Sequence, residues 1–168
     1  RTASGLRHMT KVAIVTGGTR GIGRGITDRM LQAGYQVVAV ARRPPEGDLG
    51  GAHFLSADLR EAGAVEGVMA QVLAEYGRLD VLVNNAGGSP FAWAAEASPR
   101  FHEKVIQLNL LAPLHCAQAA NRIMQTQDEG GVIINIASVS GLRPSPGTAA
   151  YGAAKAGLIS LSRSLAVE

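Results

Sequence analysis

The sequence has little cysteine, few aromatic residues and a low share of charge. Its 168 residues include one cysteine, with 4% aromatic and 17% charged residues, against ~25% charged residues in an average soluble domain. The single Cys116 excludes an internal disulfide framework and is typical of a reducing compartment, which predicts a cytoplasmic location. No apolar run approaches the ~20 residues of a membrane span, so no membrane partner is expected.

The sequence is rich in apolar residues, which make up 46% of it and exclude a disordered chain. At ~150 residues per domain, the length predicts a single unit. Residues 1–8 show no apolar periodicity and resemble a leader left by an expression vector, so residues 9–168 are interpreted as the domain. Without Arg1 and Arg7 the formal net charge of +3 falls by two, to +1. This excess is too small to predict a nucleic-acid partner.

Short apolar runs alternate with longer segments whose length and composition are typical of helices. The alternation predicts right-handed βαβ crossovers and an α/β fold with a doubly wound parallel sheet. Near-continuous Val and Ile indicate strands buried on both faces. The predicted strands are 12–15, 37–41, 53–57, 79–83 and 132–137, and the predicted helices are 21–33, 61–76, 99–124 and 150–167.

A polar residue follows each predicted strand. Thr16, Arg42, Asp58, Asn84 and Ser138 all stand at such a position. The carboxyl ends of parallel strands share one edge of the sheet, and open α/β sheets bind ligands there. The sequence therefore predicts a ligand site at this edge.

The segment 16–23, Thr-Gly-Gly-Thr-Arg-Gly-Ile-Gly, joins the first strand to the first helix. Its glycines allow a tight turn and a close approach of a pyrophosphate, whose charge meets free N–H groups at the helix N-terminus. A turn with only a structural role is the alternative. The predicted cofactor-binding residues here are Gly17, Thr19, Arg20, Gly21, Ile22 and Gly23.

The spacing of Gly17, Gly21 and Gly23 resembles the TGxxxGxG fingerprint of the classical short-chain dehydrogenase/reductase family. Asn84-Asn-Ala-Gly matches the family's NNAG, and Tyr151-Gly-Ala-Ala-Lys matches its YxxxK. Ser138 precedes Tyr151 by the family's thirteen residues, and Asn109 stands where the family has its helix Asn. The matches cover most of residues 11–168 and are specific together. The resemblance implies a Rossmann-type dinucleotide-binding catalytic domain, with further cofactor contacts from Asn85, Ala86 and Gly87.

Tyr151 and Lys155 are four residues apart on a predicted helix and so share one face. A neighbouring ammonium favours the phenolate form, which suits Tyr151 to act as a general acid/base. Ser138 can donate a hydrogen bond to a substrate oxygen that develops negative charge. The resemblance implies the same roles, with Tyr151 as proton donor and Lys155 also as a ligand of the cofactor ribose, and it places both Tyr151 and Lys155 among the cofactor-binding residues.

Asn109 has a proline four residues after it, at Pro113. Proline has no N–H, so the usual helical hydrogen bond to the Asn109 carbonyl cannot form, and that carbonyl could hold a water. The resemblance implies a proton-relay water near this Asn, connecting Lys155 to solvent. An ordinary proline kink is the alternative.

The end of the second strand bears on the choice of cofactor. NAD-binding folds place an acidic residue there for the ribose 2′-hydroxyl, but this sequence has Ala41 followed by Arg42. An Arg suits a 2′-phosphate, and Arg20 stands where NADP-preferring relatives carry a second basic residue. NADP(H) is therefore expected rather than NAD(H), with two solvated arginines as the alternative. Asp58-Leu59 resembles the family pair that contacts adenine.

Other kinds of site are not supported by the sequence. The histidines lack metal-ligand spacing, so no metal site is expected. Cys116 lies in an apolar helical stretch and is interpreted as a core residue. Ser138 lacks the G-x-S-x-G elbow of a hydrolase.

These observations predict an oxidoreductase that transfers a hydride between NADP(H) and a small-molecule carbonyl or secondary alcohol. An NAD-linked alcohol dehydrogenase and a non-catalytic nucleotide-binding regulator are the alternatives. Family members pair through two long helices, here about 112–124 and 150–167, so a homodimer or homotetramer is expected.

The family continues past the YxxxK helix into two more strands and a lid. The resemblance therefore implies that the domain 9–168 is incomplete at its C-terminus and lacks those strands. We expect residues 1–168 alone to be unstable or inactive.

Overall fold

A five-stranded parallel sheet forms the centre of the protein. The computed structural model describes residues 10–168, so the interpretation of residues 1–8 as a leader lies outside the described residues. The strand order is β3-β2-β1-β4-β5, which confirms the predicted doubly wound fold. The strands are β1 (Val12–Thr16), β2 (Gln36–Ala41), β3 (His53–Ser56), β4 (Val81–Asn84) and β5 (Val132–Asn135).

Five α-helices connect and cover the strands. They are α1 (Gly21–Gln32), α2 (Ala64–Tyr76), α3 (Pro99–Ile106), α4 (Ala112–Met124) and α5 (Ala149–Leu165). Residues of α2 and α4 share one hydrophobic cluster with one face of the sheet, while Ile26, Met30 and Leu31 of α1 pack on the other face. The chain after β3 leads into α2 and β4, which pairs with β1 on the side away from β2. This reversal of direction places the topological switch point between β1 and β4.

The strands differ in burial according to their place in the sheet. All five residues of β1 and all four of β4 are buried, as expected for Val-rich strands covered on both faces. In β5, Val132 and Ile134 are exposed, while Ile133 packs against the α2/α4 cluster. The buried central strands β1 and β4 therefore set the positions of the loops that follow their carboxyl ends.

The segment 99–124 is not the continuous helix that its composition predicts. A π-helical segment at Gln107–Leu111 separates α3 from α4, and it ends two residues before Pro113. Because proline cannot donate the next helical hydrogen bond, the backbone takes the wider i→i+5 spacing on its N-terminal side. A short 3₁₀ turn at Val139–Gly141 was likewise absent from the predicted elements.

Polar groups at the amino end of β1 and β4 form a closed network. The Asp80 carboxylate accepts hydrogen bonds from the Val12 N–H and the Arg78 Nε, both at 2.8 Å. Burial alone would raise the pKa of Asp80, but these donors outweigh it and hold the pKa below its usual value. The Gln127 side chain accepts from the Leu79 N–H and donates to the Leu79 carbonyl, each at 2.9 Å. The polar groups of Asp80 and Gln127 at this edge of the sheet therefore find their hydrogen-bond partners within the chain.

No helix within residues 10–168 combines the length and the apolar character that crossing a membrane requires.

Candidate active site

The loop between β1 and α1 brings its backbone close to itself and to β4. Gly17 and Gly21 have φ angles of +65° and +54°, which glycine adopts without steric cost. A Cβ at Gly23 would overlap the Gly17 carbonyl oxygen, and a Cβ at Gly17 would lie 3.0 Å from the Ala86 Cα. The loop is therefore a cradle that only glycine can line at these points.

The N-terminus of α1 opens from this cradle, and no side chain within residues 10–168 caps it. Its N-cap residue, Arg20, makes no side-chain capping bond, and the first turn contains no acidic residue. Thr19 is half-buried in the loop, and Ile22 is 72% exposed. Free N–H groups and the helix dipole favour an anion at this end.

The Thr16 hydroxyl joins the ends of β1 and β4. It accepts hydrogen bonds from the backbone N–H groups of Asn85 (3.0 Å) and Ala86 (2.9 Å) and donates to the Val83 carbonyl at 3.3 Å. The Asn85 amide donates to the Thr16 carbonyl at 3.0 Å. The sequence marks Thr16 only as a polar residue at a strand end, and the structure shows that it joins the segments that follow β1 and β4.

Arg42 and Asp58 lie close together beyond β2 and β3. The Asp58 carboxylate accepts from Arg60 Nε at 2.9 Å and from its guanidinium at 2.6 Å. The Arg60 hydrogen bonds, with a smaller contribution from the charge of Arg42, hold the pKa of Asp58 below its usual value. Leu59, predicted with Asp58 to contact adenine, has its side chain buried in the α2/α4 cluster. Arg20 and Arg42 form no ion pair with any residue that the structure describes.

Asn109 lies inside the π-helical segment and is fully buried. Its amide donates to the carbonyls of Gly88 (2.9 Å) and Val105 (2.8 Å), and its side-chain oxygen accepts from the Gly88 N–H at 2.8 Å. The side chain is therefore fully engaged in holding the segment after β4. No motif or spacing in the sequence predicts that Gly88 is the hydrogen-bond partner of Asn109.

Lys155 brings α5 to the same point. A Cβ at Gly87 would lie 2.6 Å from the Asn109 side-chain oxygen and 3.4 Å from the Lys155 ammonium. That ammonium donates to the Ile136 carbonyl at 2.7 Å and lies 5.7 Å from the centre of the Tyr151 ring. Lys155 is only 3% exposed, and burial lowers its pKa. Segments far apart in sequence thus converge on one buried cation.

Ser138 and Tyr151 lie at the outer part of this arrangement. Ser138 begins the 3₁₀ turn, and its hydroxyl accepts from the Ser140 N–H at 3.1 Å. A Cβ at Gly152 would lie 2.9 Å from the Ser140 carbonyl oxygen, so this turn packs directly on the first turn of α5. The Tyr151 hydroxyl makes no hydrogen bond within the described part of the chain, which leaves it open to a ligand.

A family model described as short chain dehydrogenase matches residues 11–168. The chain belongs to this family. Short-chain dehydrogenases are oxidoreductases that use a nicotinamide cofactor, and the helices and parallel sheet described above are those of this Rossmann-like fold.

Similar proteins include several short-chain dehydrogenases of differing specificity. The human 3-oxoacyl-[acyl-carrier-protein] reductase is 35% identical over 166 residues, which cover 95% of this chain and 70% of that protein. A 3beta-hydroxysteroid dehydrogenase of Mediterraneibacter gnavus is 36% identical, over 96% of this chain and 62% of that protein.

Solved structures agree with this family assignment. A short-chain dehydrogenase from Streptomyces avermitilis has a TM-score of 0.83 and 34% identity, covering 93% of this chain. The ligand-free aldohexose dehydrogenase of Thermoplasma acidophilum has a TM-score of 0.88 and 28% identity, covering 94% of this chain. This chain spans 59% and 61% of the lengths of those two proteins, respectively.

The site residues predicted from the sequence lie in loops and helices at the carboxyl ends of the strands, and we divide them into two groups by the roles that the family resemblance implies. The nucleotide group comprises Gly17, Thr19, Arg20, Gly21, Ile22, Gly23, Arg42, Asp58, Asn85 and Ala86. The chemical group comprises Gly87, Asn109, Ser138, Tyr151 and Lys155. Cys116 is 2% exposed, and burial raises the pKa of its thiol to about 12. Within residues 10–168 no cluster of three or more metal-ligating side chains occurs.

Proposed function

We propose that this chain carries the cofactor and proton-transfer site of a reductase that moves a hydride between NADP(H) and a carbonyl or secondary alcohol. The observation that carries the proposal is the buried Lys155 ammonium, which lies beneath the open Tyr151 ring and beside Gly87 and Asn109. A buried cation whose only hydrogen bond among residues 10–168 is to a carbonyl is costly in a purely structural role. A functional role explains the position of Lys155, in which its charge stabilises the Tyr151 phenolate and its ammonium binds the cofactor ribose.

The residues of the chemical group divide the proton chemistry among them. Tyr151 donates a proton to the carbonyl oxygen in reduction and accepts one from the alcohol in oxidation. Lys155 stabilises the phenolate that remains when the proton has left. Ser138 donates a hydrogen bond to the oxygen that develops charge, and the Asn109 carbonyl holds a water that returns protons from solvent to Lys155.

The residues of the nucleotide group fit a dinucleotide. The cradle at Gly17 and Gly23 would be filled by any Cβ, and α1 offers uncapped N–H groups without a competing acid. The pyrophosphate would lie there, with adenine near Asp58 and the backbone of Leu59, and the ribose of the nicotinamide near Lys155. When bound, the nicotinamide supplies or accepts the hydride.

The preference for NADP(H) is carried by Arg42 and Arg20. Both are exposed at the edge where a 2′-phosphate would lie, neither has an acidic partner in the described chain, and Ala41 leaves no carboxylate to repel a phosphate. We expect kcat/KM with NADPH to exceed that with NADH, and Arg42→Leu to lower this ratio about tenfold or more. Arg43→Leu, which removes the neighbouring exposed arginine, should leave the ratio near that of the native protein. A native preference for NADH would contradict the proposal and favour the NAD-linked alternative.

We also propose that the native protein is a homodimer or homotetramer paired through α4 and α5. On α5, Ala154 is buried and Gly157 packs against Leu110, so these two small residues are used within the chain. Ala153 and Ala156 stay exposed and can admit a second helix closely. Light scattering of the native protein tests the assembly.

The direct test of the reaction is Tyr151→Phe. Removing one hydroxyl should lower kcat for the best ketone substrate at least about 100-fold, because general acid catalysis of this kind contributes that much. The KM for NADPH should stay near its native value, since the ring that covers Lys155 remains. Tyr76→Phe on α2 is the matched control and should keep normal turnover. Near-normal turnover in Tyr151→Phe would overturn the mechanism.

A further inference from the structure

Two loops leave the carboxyl ends of β4 and β5 side by side, since Asn84 and Asn135 are paired in the sheet. The first, residues 85–98, contains Phe91 and Trp93, and the second, residues 136–148, contains Ser138. They are tied together where the Ala92 N–H donates to the Gly147 carbonyl at 2.8 Å. The two loops therefore form one surface beside the chemical group.

Phe91 fixes this junction. Gly147 is buried with a φ of +73°, and a Cβ there would overlap the Phe91 ring, so the ring lies directly on the Gly147 backbone. Gly147 precedes the N-cap residue of α5, Thr148, by one position and Tyr151 by four. The position of the Phe91 ring is thus set relative to the helix that carries Tyr151.

Trp93 continues the surface outward from Phe91. The two rings meet edge to face, with centroids 5.1 Å apart and an interplanar angle of 80°. Phe91 is nevertheless 65% exposed and Trp93 50%. On the facing loop, Val139 and Leu142 are also exposed, one and four positions after Ser138. Four large apolar side chains are thus left open to solvent on the loops that border the reacting groups.

The parts of the two loops that come first after β4 and β5 lack charge, and the charged residues of the loops, Glu96 and Arg143, follow them. Residues 86–95 and 136–142 contain no acidic or basic side chain. A substrate with a carboxylate or phosphate next to its carbonyl would find no partner in either stretch, while an apolar body would cover the aromatic surface.

We infer that Phe91 and Trp93 form the wall that selects the substrate, and that the substrate is an uncharged ketone or secondary alcohol with a bulky alicyclic or aryl body. This rests on the proposed function for the location of the reacting carbonyl. Phe91 anchors the wall to the Gly147 backbone, and Trp93 is the specificity-determining contact.

Trp93 is the single tryptophan of the 168-residue sequence and provides a direct probe, and the same titration of Trp93→Phe subtracts the emission of any other tryptophan in the native protein. The native protein, saturated with NADP⁺, is titrated with 1-decalone or with hydroxyacetone while tryptophan emission is followed. Oxidised cofactor and ketone cannot react, so this signal reports binding alone, and it is repeated in Tyr151→Phe. We expect a saturable change of emission with 1-decalone and none with hydroxyacetone.

Kinetics with NADPH supply the second measurement. Trp93→Ala should raise the KM for 1-decalone about tenfold or more and leave that for hydroxyacetone within about twofold. Leu73→Ala, which shortens an exposed apolar residue on α2, is the control and should change neither KM. The inference is overturned if 1-decalone leaves the emission unchanged, or if Trp93→Ala affects both ketones equally. Failure of the proposed function differs, since it would abolish turnover of both ketones or leave Tyr151→Phe active without altering the emission titration.

Discussion

The two ends of the parallel sheet contrast sharply in how their polar groups are satisfied. At the amino end, Asp80 is matched to Arg78 and to the Val12 N–H, and the Gln127 amide is matched to Leu79. At the carboxyl end, the α1 N-terminus is uncapped, two arginines lack acidic partners in the described chain, and Lys155 is buried with one carbonyl.

Whether the polar groups have partners within the chain distinguishes a structural cluster from a binding site, and no sequence motif is needed for this distinction. A polar cluster that is complete within the chain contributes to stability, and removing one member leaves its partner stranded. A cluster whose polar groups lack partners within the chain lowers the stability of the fold, and a bound ligand can offset that loss. Substitutions at the two ends should therefore separate stability from activity.

The largest effect on stability is expected at the amino end. Asp80→Asn should lower the free energy of unfolding by about 3 kcal/mol, because it removes the buried carboxylate that pairs with Arg78 and leaves only the more distant and exposed Glu129, at 3.7 Å. The exposed pair Arg24–Asp28 provides the control, and Asp28→Asn should cost at most about 0.5 kcal/mol. Urea denaturation measures both. NADP⁺ affinity of folded Asp80→Asn should remain native, and a clear loss would contradict the division between the two ends.

The pH dependence follows from the direction of the shift. The pKa of Asp80 is lower in the folded protein than its unfolded value near 3.8, so the unfolded state takes up the proton first. The contribution of Asp80 is present above that pH and is lost as the pH falls through its folded pKa. Native protein should therefore lose more stability on acidification than Asp80→Asn.

A smaller effect is expected in the glycine cradle. Gly23→Ala places a Cβ against the Gly17 carbonyl oxygen, a backbone atom that cannot turn away, and should cost about 1–3 kcal/mol. It should also weaken NADP⁺ binding, since the loop must shift. Gly25→Ala, two residues further along α1, meets nothing within 4 Å. That variant should gain about 0.5–1 kcal/mol, as alanine does over glycine in a helix. Equal behaviour of the two variants in calorimetry and titration would show that the cradle is not tightly packed.

The smallest effect on stability is expected at Lys155. In contrast to Asp80, its substitution should abolish activity and leave the fold stable. Its folded pKa lies below the unfolded value of 10.5, so the unfolded state binds the proton more readily at pH values between the two. Relative to Lys155→Met, the native protein should gain stability as the pH rises from about 7.5 to about 10. At neutral pH, Lys155→Met should be as stable as native or about 1 kcal/mol more stable, yet nearly inactive. Urea denaturation at both pH values checks this, and a native protein that loses stability against the variant on alkalinisation would contradict it.

Local patterns were enough to predict the sheet and the positions of the polar groups along one edge. Valine-rich runs specify buried parallel strands, and the positions after them follow from strand polarity alone. The shared helix face of Tyr151 and Lys155 required only their spacing. These features depend on residues that are near in sequence.

The contacts between distant segments could not be predicted in this way. The pairing of Asn109 with Gly88 depends on a π turn whose position is decided by Pro113 and by the packing of both flanking helices. The pairing of Asp58 with Arg60 depends on a side-chain rotamer, and the Phe91 ring on Gly147 depends on the relative positions of two loops. Each results from tertiary packing, for which a single sequence contains no periodic signal.

The π-helical segment has a consequence for how the whole stretch 99–124 is aligned or redesigned. Buried residues recur there every four positions, at Val105, Asn109, Pro113 and Ala117. In a regular α-helix that interval would rotate the stripe by about 40° at each step. Each residue of the wider turn at 107–111 rotates the chain by less than in an α-helix, which offsets part of this rotation. Asn109 and the buried residues that follow it therefore lie on the same buried face. A π turn holds one residue more than an α turn, so deleting one residue within 107–111 should restore a regular α-helix and leave the two flanking helices in phase. An alignment with a regular helix should therefore place its one-residue gap at this turn.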